Sequence, residues 1–483
     1  MGSFTLGFYL FFVVVFAGYW SLSGGTARKW LLLVVSYGLY ATFDVRFLAL
    51  LAGATAVGLI CARLIAETED PARRKTVLIV GLTLCLGVLG VFKYLDFFAA
   101  SAVSMLSMLG LGVDPPALRL LLPIGISFYL FKVMSYLIDV YRRTTPATGS
   151  ALDFATYVAF FPQLLSGPID RAGNLLPQLA TARTFDYAMA VEGLRLLLWG
   201  FFKKVAIADG LAFSVGKAFG DWQSQPAPVL IAGAVLFSVQ IYCDFSGYTD
   251  MATGLARLLG FTTVRNFAYP YFSQNVAEFW RRWNISVSSW FRDYVYISLG
   301  GSRVARARLV FNVMATFILS GLWHGANTTF LVWGGMLGVA VCFTALRQRP
   351  VLKAADTPGG ERLTLPAAGR ILATFTFITV SWVFFRAASV GEAFGILQGM
   401  LQWPSSMSEW LAPIALFPST RLLLIAVVFG FFVVEWIQRR HECPLDIDSL
   451  PRVARWLAYT AVVWVTILLS QPLTAGRFIY FDF

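Results

Sequence analysis

The sequence predicts an all-α polytopic membrane protein, and three observations carry the prediction. Of 483 residues, 58% are hydrophobic and 13% charged, and the mean hydropathy is +0.70. Soluble domains hold about 45–50% apolar and roughly 25% charged residues because their surfaces face water, and disorder needs low hydrophobicity. The apolar residues form long continuous runs, whereas a β-barrel shows short alternating segments. The runs are punctuated by basic clusters at Arg28/Lys29, Arg73/Arg74/Lys75 and Arg142/Arg143, the signature of cytoplasmic loops.

A crossing needs roughly 20 apolar residues. Residues 1–27 and 76–92 carry no charged side chain, and 227–243, 309–346, 371–385, 422–434 and 456–476 follow. The runs 30–43, 46–65, 118–138 and 189–208 are shorter or interrupted by charge. Together they predict about eleven spans. Counting spans between the three basic clusters puts all three on one side, which the positive-inside rule makes cytoplasmic, with the N-terminus outward. No positive charge precedes Arg28, so the first span is expected to be retained rather than cleaved as a signal peptide.

Residues 154–165 are too short to cross and adjoin Ser166–Gly167–Pro168; they are expected as a re-entrant or interfacial piece. There is no internal repeat and no inverted pair of broken halves, which disfavours a secondary transporter. The charged, Pro/Gly-rich stretch 347–370 reads as a linker within one membrane domain covering 1–483. That domain has N-terminal spans in 1–117, a core in 118–346 and C-terminal spans in 371–483.

The net charge of +12 points in such a chain to basic loops against anionic lipid rather than to nucleic acid. The cysteines Cys61, Cys85, Cys243, Cys342 and Cys443 have no paired spacing, so neither disulfides nor a zinc site is expected. Two histidines, His324 and His441, are too few for a histidine metal cluster, and His441 lies in a charged loop. No metal is expected. Phosphate-cradling loops and dinucleotide fingerprints are absent.

The most informative run is 309–346, which holds no Lys, Arg, Asp or Glu. As one helix it would measure about 57 Å, so it must break, and the natural place is SGLWHGAN at 320–327. His324 would then lie deep beside flexible backbone. A neutral imidazole is tolerated there and a charged one is not, which leaves a nitrogen able to accept a proton, as a general base must. A histidine that merely bridges two helices fits the run equally. Ser320 lies one turn before His324, but no carboxylate in the run could orient the ring and no nucleophile elbow is present.

The second stretch, WRRWNISVSSWFRDYVYI at 280–297, reads as one amphipathic helix. Trp280, Trp283, Val287, Trp290, Phe291 and Tyr294 share a sector about 100° wide, and the arginines fall outside it. Glu278 stands four residues before Arg282, the favourable order for a pair. Asn284 lies at the margin of the aromatic face, placed to aim an amide into a pocket. The third stretch, QIYCDFSGYTDM at 240–251, sets Asp244 and Asp250 at the expected end of an apolar span, where carboxylates must be paired or wet. They orient a substrate or hold helix ends together.

These pieces (SGLWHGANTTFLVWGG, EFWRRWNISVSSWFRDYVYISLGG, QIYCDFSGYTDMA, LPIGISFYLF, FFPQLLSGPI and WVFFRA) resemble the membrane-bound O-acyltransferase (MBOAT) family, in particular its bacterial branch of alginate O-acetylation proteins. The resemblance runs from about residue 122 to 387. It implies a ring of tilted helices around a central tunnel, with interfacial and re-entrant helices. His324 would be the catalytic histidine, and Asn284 the second signature position, where this branch usually has histidine. Trp280, Arg282, Trp283, Asp244, Ser320 and Trp323 are then candidates for contacting substrate.

The implied reaction moves an acyl group, chiefly acetyl, from a cytoplasmic thioester to a hydroxyl of an extracytoplasmic polysaccharide. The donor is acetyl-CoA or an acyl-carrier thioester, and no permanently bound cofactor is expected. Extracytoplasmic acetylation or polysaccharide-synthesis proteins are the implied partners, with an acyl carrier protein a further one, in a bacterial inner membrane. D-alanyl transfer to teichoic acid and peptidoglycan O-acetylation are the alternatives within this chemistry. A transporter or flippase is the alternative outside it.

Overall fold

The computed structural model describes residues 6–111, 121–347, 364–417, 422–441 and 443–470. Those residues are helical with connecting turns and contain no strand. Six helices are long and apolar enough to cross a membrane: Phe47–Glu67, Pro71–Leu95 (the first part of Pro71–Met108), Ala227–Leu258, Thr328–Arg347, Leu365–Arg386 and Arg452–Leu469. Gly7–Ser21, Phe97–Met108 and Leu423–Gln438 are shorter apolar helices. The spans expected at 30–43 and 118–138 (its first three residues outside the described ones) correspond to helices Gly25–Ala41 and Ile126–Tyr141, of 17 and 16 residues, and the span at 189–208 to helix Tyr187–Phe201 continued without a break by the π-helical Phe202–Ala208. The first two fall short of the hydrocarbon thickness at 1.5 Å per residue. The expected linker 347–370 lies mostly outside the described residues, as does the end of the last expected span.

The chain divides into two compact units, Met1–Gly193 with Leu255–Val264 and Leu194–Gly254 with Arg265–Phe483. In the first, the segment expected to turn back at 154–165 is two short helices, Ala151–Ala159 and Phe161–Leu164, with Pro162 opening the second. It is held from behind by a buried polar chain. Lys132 donates to Gln163 Oε1 at 2.8 Å, Gln163 donates to Asp170, and Asn174 donates to the other Asp170 oxygen at 2.9 Å. Every buried charge there has a partner, as burial demands.

In the second unit two expectations are corrected. The helix carrying Asp244 and Asp250 does not end at them but continues to Leu258. The carboxylates are tolerated inside it because Lys204 lies 2.6 Å from Asp244 and Lys203 lies 2.7 Å from Asp250. Glycines make the meeting possible: a Cβ on Gly200 would stand 2.6 Å from the Gly247 carbonyl oxygen. The stretch 280–297 is not one helix either. It is Val276–Arg282, a break at Trp283–Asn284, Ile285–Phe291, and a wide π-helical turn Arg292–Tyr296. The burial pattern nevertheless follows the expected face. Trp280, Trp283, Val287, Trp290, Phe291 and Tyr294 are buried while Arg281, Arg282, Ser289, Arg292 and Asp293 are half-exposed.

The charge-free run 309–346 does break where expected. Helix Arg306–His324 ends at Gly325, and Thr328–Arg347 returns.

Candidate functional site

That hairpin sets the position of His324. The two helices approach so closely that a Cβ on Gly321 would lie 2.3 Å from the Phe330 carbonyl oxygen, and one on Gly334 2.4 Å from that of Phe317. Small residues permit such backbone contact, and here it presses the first turns of the return helix against the imidazole. Ring centroids of Trp333 and Phe330 lie 5.0 and 6.3 Å from that of His324. Phe385, from helix Leu365–Arg386, stands at 5.2 Å and the adjacent Trp323 at 4.7 Å. His324 is 6% exposed. The imidazole is thus packed among rings from its own helix, the return helix and helix Leu365–Arg386.

Asn284 is positioned by the break that the sequence did not predict. The preceding turn is fixed by a reciprocal cap, in which Asn275 Oδ1 accepts from Glu278 N and Glu278 Oε2 accepts from Gln274 N, both at 2.8 Å. Glu278 also pairs with Arg282, as expected. Asn284 then adopts φ 42°, ψ 55°, a left-handed conformation that asparagine accepts more readily than most residues. It occupies the N-cap position of Ile285–Phe291, yet its side chain makes no capping bond. That task falls to Asn266, whose Oδ1 accepts from Ser286 N at 3.0 Å and whose carbonyl accepts from Ile285 N at 2.9 Å. With its usual duty performed by another residue, the Asn284 amide is buried, 3% exposed, and its Oδ1 has no hydrogen bond.

One aromatic mass links the two residues. Trp283 packs on Trp382 at 5.1 Å, Trp382 stacks on Trp333 at 5.7 Å, and Trp280 meets Trp333 at 5.6 Å. The indole N–H groups of Trp280, Trp333 and Trp382 are all buried without a hydrogen bond. A buried donor left unmet costs about 1–3 kcal/mol, so three in one aromatic mass, with the Asn284 amide oxygen unmet as well, set this region apart within the described residues.

The other predicted residues divide. Trp280, Trp283 and Trp323 belong to this mass. Ser320 sits half-buried one turn before His324, Arg282 is committed to Glu278, and Asp244 to Lys204. The sequence reading missed Trp333, Trp382, Asn266 and the lysine pair Lys203/Lys204. Only the lysines left a signal: two cations inside an apolar run require counter-ions. Among the described residues no group of three His, Cys, Asp or Glu side chains is arranged to hold a metal ion.

Comparison with known proteins gives three findings. Residues 142–384 match the model of the membrane-bound O-acyltransferase family. The chain is 40% identical to the protein named "Probable alginate O-acetylase AlgI" of Pseudomonas aeruginosa, over 82% of this chain and 74% of that one. It is 32% identical to the peptidoglycan O-acetyltransferase of Helicobacter pylori over 81% of this chain and 78% of that one, and 28% identical to the teichoic acid D-alanyltransferase of Bacillus subtilis over 44% and 56%.

Proposed function

The chain belongs to the membrane-bound O-acyltransferase family, and from that premise we propose that it moves an acetyl group from a cytoplasmic thioester to a hydroxyl of an extracytoplasmic polysaccharide, directly or through a partner protein. The donor is acetyl-CoA or an acyl-carrier thioester, the protein sits in a bacterial inner membrane with its N-terminus outward, and the helices enclose a tunnel that meets His324. The relatives' printed names, an alginate O-acetylase and a peptidoglycan O-acetyltransferase, favour acetyl over D-alanyl.

In this reading His324 takes the proton of the acceptor hydroxyl. The oxygen attacks the thioester carbonyl, the C–O bond forms, the C–S bond breaks, and the imidazolium returns its proton to the departing thiolate. The indole donors meet the carbonyl oxygen as its charge grows, and the Asn284 amide holds donor or acceptor in register. The observation that carries the reading is the packing of His324 against Trp333, whose indole N–H, like those of Trp280 and Trp382 in the same aromatic mass, makes no hydrogen bond among the described residues.

The test pairs two variants of the purified full-length protein in vesicles, with radiolabelled acetyl donor and a polysaccharide acceptor. His324→Gln should lower transfer by about 10²–10⁴-fold with an unchanged melting temperature. A near wild-type rate would remove the histidine from the chemistry. Asn284→Gly keeps the left-handed turn, which glycine adopts freely, while deleting the amide; retained transfer there would reduce Asn284 to a turn residue.

A further inference from the structure

We propose that the cavity at the turn between helices Leu6–Ser21 and Gly25–Ala41, in the first unit, binds a phosphate group carried on a larger molecule. The cavity holds about 210 Å³ and is lined by Arg28, Lys29, Arg183, Thr26, Gln178 and Tyr19 among others, with no acidic residue in its wall. Lys29 is neutralised by Asp153 at 2.6 Å. Among the described residues no carboxylate pairs with either arginine. Arg28 donates to the carbonyls of Leu22 and Arg183 at 2.8 and 2.7 Å and lies over the rings of Tyr19 and Trp20. Arg183 donates to the Thr181 hydroxyl at 2.9 Å and lies over Phe261.

Two guanidinium groups at one cavity repel each other, and the protein fixes both with uncharged partners. That arrangement destabilises the empty site and favours an anion between them; guanidinium geometry suits phosphate oxygens. A third element adds to the field. Helix Gly25–Ala41 starts at the cavity, and its N-cap Gly24 supplies no side chain to meet the first-turn N–H groups, so the positive end of a 17-residue helix faces the same space. Three independent features therefore converge on negative charge.

The location narrows the ligand. The cavity lies at the end of an apolar helix and beside Tyr19, Trp20 and the exposed Trp30, the aromatic composition of a membrane–water boundary. A phosphate there arrives on a lipid headgroup or on a soluble nucleotide. The chemistry recognised is the same. This assignment is independent of the acyl-transfer reading, because binding is measured on the resting protein.

The experiment is a melting-temperature and affinity series on the purified full-length protein. The probes are inorganic phosphate, adenosine 3′,5′-bisphosphate, and vesicles of phosphatidylcholine alone or mixed with phosphatidylglycerol. The variant is Arg183→Gln, chosen because the side chain's hydrogen bonds reach only Thr181, two residues away; Arg183→Lys keeps the charge without the fork. The wild type should be stabilised by phosphate probes of net negative charge, in a salt-screened manner, and not by vesicles of zwitterionic phosphatidylcholine alone. Arg183→Gln should bind about tenfold more weakly, the loss of one charge-assisted hydrogen bond, with Arg183→Lys between the two. Response to phosphatidylglycerol alone assigns the site to a lipid headgroup, and response to the bisphosphate alone assigns it to a nucleotide. No response in the wild type, or an equal response in Arg183→Gln, overturns the proposal.

Discussion

Two regions of the second unit handle buried polarity in opposite ways. Around the Gly200–Gly247 crossing, Lys203, Lys204, Asp209, Asp244 and Asp250 form ion pairs of 2.6–2.8 Å, and Tyr242 donates to the buried Glu435 at 2.8 Å. In the aromatic mass that includes Trp333 beside His324, three indole donors and the Asn284 amide oxygen make no hydrogen bond among the described residues. The ionic region is chemically richer, with more titratable groups, yet its charges are already matched to one another. The aromatic region has one titratable ring and a surplus of hydrogen-bonding capacity. The difference is that the ionic region has its hydrogen-bonding demand met within the fold, while the region of the proposed site does not.

The comparison breaks most readily at Lys204, which serves both Asp209 and Asp244. Lys204→Met removes the ammonium that both carboxylates share, and removing one partner of a buried ion pair costs about 3–5 kcal/mol. The expected outcome is a large fall in folded yield and melting temperature, while acyl transfer per folded molecule stays near wild type. Asp244→Asn should cost less, because Lys204 keeps Asp209. Were the folded Lys204→Met protein inactive, the ionic region would be part of the reaction and the contrast would fail.

The contrast also explains what was legible in the sequence. Hydropathy runs fixed the helices, since the demand to bury apolar surface is written locally; even the break at 325–327 followed from a run too long for one crossing. His324 was legible as the lone titratable group in that run. The paired state of Asp244 was not, because Lys204 lies 40 residues away and only the glycine crossing joins them. The break at Asn284 was hidden for the same reason. The 280–297 stretch has ideal amphipathic spacing, and the residue that interrupts it, Asn266, belongs to a loop with no periodic signal.

Asn266 gives the intermediate effect. If it substitutes for Asn284 as the cap of Ile285–Phe291, Asn266→Ala exposes the Ser286 N–H to capture by Asn284 itself. Loss of a capping acceptor costs about 0.5–2 kcal/mol, so stability should fall modestly. Transfer should fall as far as in Asn284→Gly, because the amide has been drawn away from the pocket. Asn266→Asp keeps the acceptor and should restore most of the rate. An active Asn266→Ala protein would show that the two asparagines are not coupled.

The smallest change in stability is expected at Trp333, and it addresses the unmet donors directly. Trp333→Phe removes the indole N–H and some ring volume. The volume loss destabilises a close-packed site, but deleting a buried donor that has no partner relieves a penalty of about 1–3 kcal/mol. The two oppose, so the melting temperature should move little. Transfer should nonetheless fall about tenfold, a fraction of what loss of a dedicated oxyanion donor costs, since Trp280 and Trp382 retain theirs. A stability loss of the size expected for a satisfied, fully packed tryptophan, with the rate unchanged, would mean that the N–H is used within the fold, and the aromatic region would then resemble the ionic one after all.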